Sequence, residues 1–99
     1  MIIIDKKQDG DKLTIQMAGR LDTQTAPQLE AELKEGLNGI KELEFDIKEV
    51  EYISSAGLRV LLYAQKVMNK QGTMVVKNVQ EDIQEIFEVT GFVDILTIV

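Results

Sequence analysis

The chain has 99 residues, 44% hydrophobic and 28% charged, which suits one soluble globular domain with a single core. It contains no cysteine and no histidine, which excludes disulfides, thiolate metal sites, the usual zinc ligand and the usual general base. Its 11 basic residues stand against 17 acidic ones, and the net charge of −6 repels nucleic acid and anionic lipid while favouring a partner with a basic or mixed face. Catalysis would have to rest on carboxylates, lysine or hydroxyls, and neither metal nor cofactor is expected. The longest apolar run, around Leu58 to Ala64, is interrupted by Arg59 and is too short to cross a bilayer, so no membrane insertion is expected. The opening Met-Ile-Ile-Ile-Asp-Lys lacks the basic flank and apolar length of a signal peptide, so a cytoplasmic protein is expected.

Residues 2–7 are β-branched and extended, and Asp9-Gly10 supplies a hairpin turn. From Lys12 to Ala18, Leu13, Ile15 and Met17 alternate on one face, as in a half-buried strand. Thr25-Ala26-Pro27-Gln28 fits a capping box, and Ala26, Leu29, Leu33 and Leu37 form one apolar stripe, so a helix is predicted from about Ala26 to Leu37. Gly39 breaks it. Leu43, Phe45 and Ile47 then alternate with Glu44, Asp46 and Lys48 in a third strand.

After Tyr52-Ile53 the period changes. Leu58, Leu61, Leu62, Ala64, Val67 and Met68 recur at helical spacing, which starts a second helix near Ser54 or Ser55 and ends it before Gln71-Gly72. Thr73 to Lys77 reads as a strand from the middle of a sheet. Asn78 with Glu81 gives a further capping pattern for a third helix marked by Val79, Ile83, Ile86 and Phe87, which stops at a left-handed cap on Gly91; Ile95 to Val99 reads as a last strand. The order ββαβαβαβ predicts an α/β domain over residues 1–99: a mixed sheet of about five strands, an N-terminal β-hairpin and right-handed helical crossovers. Function in such sheets sits at loops after the carboxyl ends of strands, and both the Gly19–Thr25 turn and the Ser54-Ser55 turn qualify.

The stretch Tyr52-Ile53-Ser54-Ser55-Ala56-Gly57-Leu58-Arg59 carries the most chemistry, because a helix N-terminus gathers unpaired N–H groups and the positive end of the macrodipole. A serine there can be an N-cap, a role worth ~1 kcal/mol, or can carry a phosphate. Gly57 costs about 1 kcal/mol relative to alanine in a first helical turn, which either close approach of a ligand or tight helix–strand packing would explain. Asp22 either satisfies local N–H groups near a helix start or reaches a partner. Asp46 alternates outward on its strand and reads as structural, and Met17, Met68 and Met74 fall at core spacings.

Asp46 through Val50, the Tyr52–Leu58 segment and the run on to Leu62 resemble the signature of the STAS domain, especially of bacterial anti-sigma factor antagonists. Gly19-Arg20-Leu21-Asp22 looks like that family's second marker, and the element order matches over nearly the whole chain. The resemblance implies a phosphorylatable switch: unphosphorylated, it captures an anti-sigma factor that doubles as its serine kinase; phosphorylation releases that partner, and a phosphatase is the natural counterpart. Matching Ala56-Gly57 to the family's Ala-Gly makes Ser55 the acceptor, with Ser54 the alternative, and puts Ser54 where the family commonly has aspartate. It also implies a partner surface of Asp22, Ser54, Ser55, Ala56, Gly57 and Leu58. On this reading Asp22 lies beside Ser55 at one end of the sheet, and Asp22→Ala is nearly neutral for stability.

Two readings from other classes stand beside this one. STAS-like domains also serve as soluble accessory subunits of membrane transporters, where the serine turn would dock without phosphorylation. A nucleotide-binding enzyme is disfavoured because the chain has no Gly-x-x-x-x-Gly-Lys-Ser/Thr loop and no histidine base.

Overall fold

The computed structural model describes all 99 residues, Met1–Val99. Strands β1 (Ile2–Asp9) and β2 (Lys12–Leu21) form the N-terminal hairpin, with Asp9 paired to Lys12. Gly10, the first of the two linking residues, has a φ of +63°, which a glycine adopts without the steric penalty of a Cβ. Helix α1 (Ala26–Gly36), strand β3 (Glu42–Ile53), helix α2 (Ser55–Gln71), strand β4 (Thr73–Lys77) and helix α3 (Glu81–Thr90) follow, and a 3-10 turn spans Phe92–Asp94.

The sheet has four strands in the order β1-β2-β3-β4, with the hairpin antiparallel and the other pairs parallel. This corrects the expected fifth strand. Within Ile95–Val99 only Ile98 makes a bridge, parallel to Val76, because the N–H groups of Ile95 and Leu96 turn back to the Phe92 carbonyl at 3.0 and 2.8 Å. β4 is therefore the last ladder strand and not a central one, which explains why its burial alternates.

Apolar side chains line up across the ladder in rows, Leu13–Leu43–Met74 and Ile15–Phe45–Val76. These rows join Leu29 and Leu33 of α1, Leu61, Ala64 and Met68 of α2, and Ile83 and Phe87 of α3 in one core of 25 buried residues. The other face carries polar neighbours: Gln16, Asp46 and Lys77 share one row, and Thr14 Oγ1 donates to Glu44 at 3.4 Å. A sheet covered on one face shows this alternation. Asp46 fits its structural reading, since it accepts from Asn78 Nδ2 at 3.0 Å and from the Lys48 N–H at 3.1 Å.

β2 runs past Ala18 to Leu21, and β3 runs further than its alternation suggests. The β2–β3 register shifts between Gln16 and Ala18 and again between Gly19 and Arg20, each time placing an extra residue in β3. These bulges keep Val50 and Ile53 buried after the two-residue period has broken, and they carry β3 through to the serine turn.

Two helix starts also differ from their sequence patterns. Thr25 holds the N-cap position of α1 but makes no side-chain cap bond, and α3 is preceded by Gln80, not Asn78. Asn78 adopts a φ of +60° and turns its amide to Asp46, so a tertiary contact replaces the local cap.

Candidate functional site

The carboxyl ends of β2 and β3 lie side by side, with Leu21 opposite Ile53. One residue further, the Ser54 N–H donates to the Leu21 carbonyl at 2.9 Å, which ties the serine turn to the loop carrying Asp22. The expected juxtaposition of the two loops at one end of the sheet is thus present. α1 and α2 both begin there, and a small hollow between their first turns is lined by Thr23, Ala26, Ala56 and Arg59.

Within the turn the two serines differ. Ser54 is the N-cap of α2, in extended conformation, and its Oγ accepts the Gly57 N–H at 3.4 Å. Ser55 is the first helical residue and is exposed. The first intrahelical bond runs from the Leu58 N–H to the Ser54 carbonyl at 2.9 Å, so the N–H groups of Ser55 and Ala56 lie before the helical ladder begins. An anion attached to Ser55 would meet these donors and the positive helix end.

Gly57 is buried. A Cβ at that position would lie 2.8 Å from both Cγ and the carbonyl oxygen of Leu21 and 3.0 Å from Ile53 Cγ2. Helix–strand packing therefore accounts for the glycine, and Gly57 shapes the turn from within. Leu58 is only 6% exposed and forms part of a groove wall. Of the turn residues, Ser54, Ser55 and Ala56 are the ones that reach the surface.

Asp22 has a local task that the sequence leaves open. Its Oδ1 accepts from the Gln24 N–H at 3.0 Å and the Thr25 N–H at 3.1 Å, and its carbonyl accepts the Ala26 N–H at 2.8 Å. The Thr25 hydroxyl donates to the Arg20 carbonyl at 2.7 Å and accepts the Asp22 N–H at 2.9 Å, which is why it is not free to cap α1. Desolvation pushes the Asp22 carboxyl up, but the hydrogen bonds from Thr25 and Gln24 outweigh it and hold the group below its ordinary range. Arg20 reaches toward the same carboxylate at 3.8 Å and lies over the Tyr52 ring, 4.5 Å from its centroid. The cation thus links the Asp22 loop to the residue two before the serine turn.

The periodicity of the chain does not reveal a groove of about 410 Å³ beside the turn, between the end of β3, the start of α2 and helix α3. Tyr52, Leu58, Ile86 and Val89 give it an apolar lining, and Ser55, Asp82 and Glu85 contribute polar groups. The signal that could have found it is Val89, an apolar residue outside the Ile83, Ile86 and Phe87 stripe.

No cluster of side chains in the structure is suited to hold a metal ion, and no helix is long and apolar enough to cross a membrane. The STAS domain pattern matches residues 3–99. The anti-sigma-B factor antagonist of Bacillus subtilis is 32% identical over 98 residues, covering 98% of this chain and 90% of the relative. An anti-sigma factor antagonist from Mycobacterium paratuberculosis has the same fold, with a TM-score of 0.89 at 20% identity over 99% of this chain and 85% of that one. The Bacillus cell fate determinant SpoIIAA in its phosphorylated form superposes with a TM-score of 0.77 at 13% identity, over 98% of this chain and 91% of that one. The chain belongs to the STAS domain family, among its bacterial anti-sigma factor antagonists.

Proposed function

We propose that this chain is an anti-sigma factor antagonist that works as a partner switch. With Ser55 unmodified it binds an anti-sigma factor that is also a serine kinase; phosphorylation of Ser55 by that kinase releases the complex, and a phosphatase restores the binding form. The single observation that carries the assignment to Ser55 is the division of labour in the turn: Ser54 is used as the cap, whereas Ser55 is exposed at the first helical position. The binding face comprises Asp22, Ser54, Ser55 and Ala56, with Gly57 and Leu58 holding its shape. The chain acts by binding and not by catalysis, in the cytoplasm, where its kinase finds ATP.

The electrostatics support a switch of this kind. A phosphate adds about −1.5 to −2 charges at neutral pH, which the helix start accommodates within the domain. A partner surface packed on the turn must instead desolvate that dianion. Release then follows from local repulsion and hydration, with most of the fold unchanged.

The test is incubation with ATP and an anti-sigma factor kinase, followed by mass spectrometry. Phosphate is expected on Ser55 and absent from Ser55→Ala. Phosphate mapped to Ser54, or full incorporation into Ser55→Ala, overturns the assignment.

A further inference from the structure

Helix α3 carries Glu81, Asp82, Glu85 and Glu88 and no basic residue. Acids at Glu81 and Asp82, in the first turn, complement the helix dipole. Glu88 lies in the last turn, where the dipole disfavours a carboxylate, Glu85 lies mid-helix, and neither takes part in an ion pair. Val89 is 81% exposed although Ile83 and Phe87 of the same helix are fully buried. The core explains neither the single sign of this helix nor its exposed valine.

These features converge on the groove beside Ser55. Its apolar lining is flanked by the carboxylates of Asp82 and Glu85, and no lysine or arginine lines it. A second copy of this chain, at a net charge of −6, would bring like charge to a like-charged rim. Nucleic acid and anionic lipid are repelled for the same reason. The complementary ligand is an apolar side chain carried on a basic protein surface.

We propose that the groove receives an apolar anchor of the anti-sigma kinase, flanked by lysine or arginine that face Asp82 and Glu85, so that α3 forms one half of the interface and the serine turn the other. This rests on the anti-sigma antagonist reading above and adds the chemistry of the partner's contact. Buried apolar anchors contribute most of the affinity of an interface, and rim charges chiefly set the rate of encounter. It also gives the switch a second lever. Ser55 lines the same groove, so a phosphate there brings a hydrated dianion to the place where the anchor must become dry.

The test is titration calorimetry with an anti-sigma kinase that phosphorylates the chain, using wild type, Val89→Glu, Asp82→Lys/Glu85→Lys and Ser55→Asp. Glu35→Lys/Glu42→Lys serves as a control, since it reverses two exposed charges near the opposite end of the sheet. Val89→Glu is expected to weaken binding about tenfold or more at any salt concentration, because the anchor site then holds a charge. Asp82→Lys/Glu85→Lys is expected to weaken it about tenfold at low salt, with the deficit shrinking near ~0.5 M salt. Circular dichroism checks that each variant is folded. Groove variants that bind within about twofold of wild type, while Ser55→Asp loses affinity, overturn the groove and leave the switch standing. An equal loss in the control pair traces the effect to net charge and overturns the groove as well. If no anti-sigma kinase binds the wild type, both proposals fall.

Discussion

Leu21 stands against Gly57 so closely that a Cβ on the glycine would lie 2.8 Å from the leucine's Cγ and from its carbonyl oxygen. That same oxygen accepts the Ser54 N–H, so the end of β2 fixes both the start of α2 and its first turn. Gly57→Ala should therefore destabilise the protein by about 1–3 kcal/mol through overpacking, despite the ~1 kcal/mol that alanine gains in helix propensity. Urea unfolding would measure it, and a variant as stable as wild type would show that the turn can yield.

The serines should separate cleanly in stability. Ser54→Ala removes the cap and is expected to cost about 0.5–1 kcal/mol, at the lower end of the capping range because its bond to Gly57 is long at 3.4 Å. Ser55→Ala, at an exposed position, should stay within about 0.5 kcal/mol of wild type. Parallel urea titrations of the two variants would check the order, and a larger loss for Ser55→Ala would contradict the division of labour in the turn.

Binding should instead follow the charge at position 55. Ser55→Asp is expected to weaken the anti-sigma partner while Ser55→Ala retains it, although one carboxylate carries less charge than a phosphate and reproduces its effect only in part. Calorimetry with the stoichiometrically phosphorylated wild type sets the full effect. Equal affinities for that form and Ser55→Ala would contradict release at the helix start.

Asp22→Ala should lower stability, contrary to the near-neutral outcome expected from the sequence, because the N–H groups of Gln24 and Thr25 lose their acceptor. Asp22→Asn keeps an oxygen there and should recover part of the loss. The carboxyl titrates below its ordinary value of 3.8, so its ionised form is the one favoured in the folded chain. Its contribution is complete above that value and disappears as pH falls through the lower folded one. Asp46, held low by Asn78, Lys48 and Gln16 against desolvation, acts in the same direction. Urea midpoints should fall on acidification below about pH 4, less steeply in Asp22→Asn and Asp46→Asn than in wild type. Parallel pH profiles in all three would show that neither group contributes to acid sensitivity.

Much of the fold is legible in the sequence because its periods are simple. Leu13, Ile15 and Met17 of β2 and Leu43, Phe45 and Ile47 of β3 alternate in the sequence and are all buried in the structure. The lengths of these strands are not legible. The two extra residues in β3, one near Lys48-Glu49 and one near Glu51, break its two-residue period before Ile53, and in β2 the alternation passes through Gly19, which has no side chain to mark it before Leu21. Asn78 reads as a cap because its type and its spacing to Glu81 fit one, yet its amide is held by Asp46, 32 residues earlier in the chain. The Ser54-Ser55 turn stands out by composition, but both serines suit an N-cap, and a one-residue register in the backbone decides which hydroxyl stays free. The α3 groove is hidden because helical spacing cannot say whether Ile86 faces the core or a neighbouring cleft.

The isolated pairing of Val76 with Ile98 has a further consequence. Val76 donates to the Thr97 carbonyl at 2.9 Å and accepts the Val99 N–H at 3.0 Å, so residues 97–99 satisfy backbone groups on the outer side of β4. A bare strand margin is a template for fibrous self-association, and here a few residues act as a gatekeeper at one margin. The opposite margin, β1, has no such cover and relies on Asp5, Lys6 and Lys7, whose charges discourage edge-to-edge pairing. The colloidal safety of this molecule is thus divided between a backbone clasp on one side and side-chain charge on the other, and salt would erode only the second.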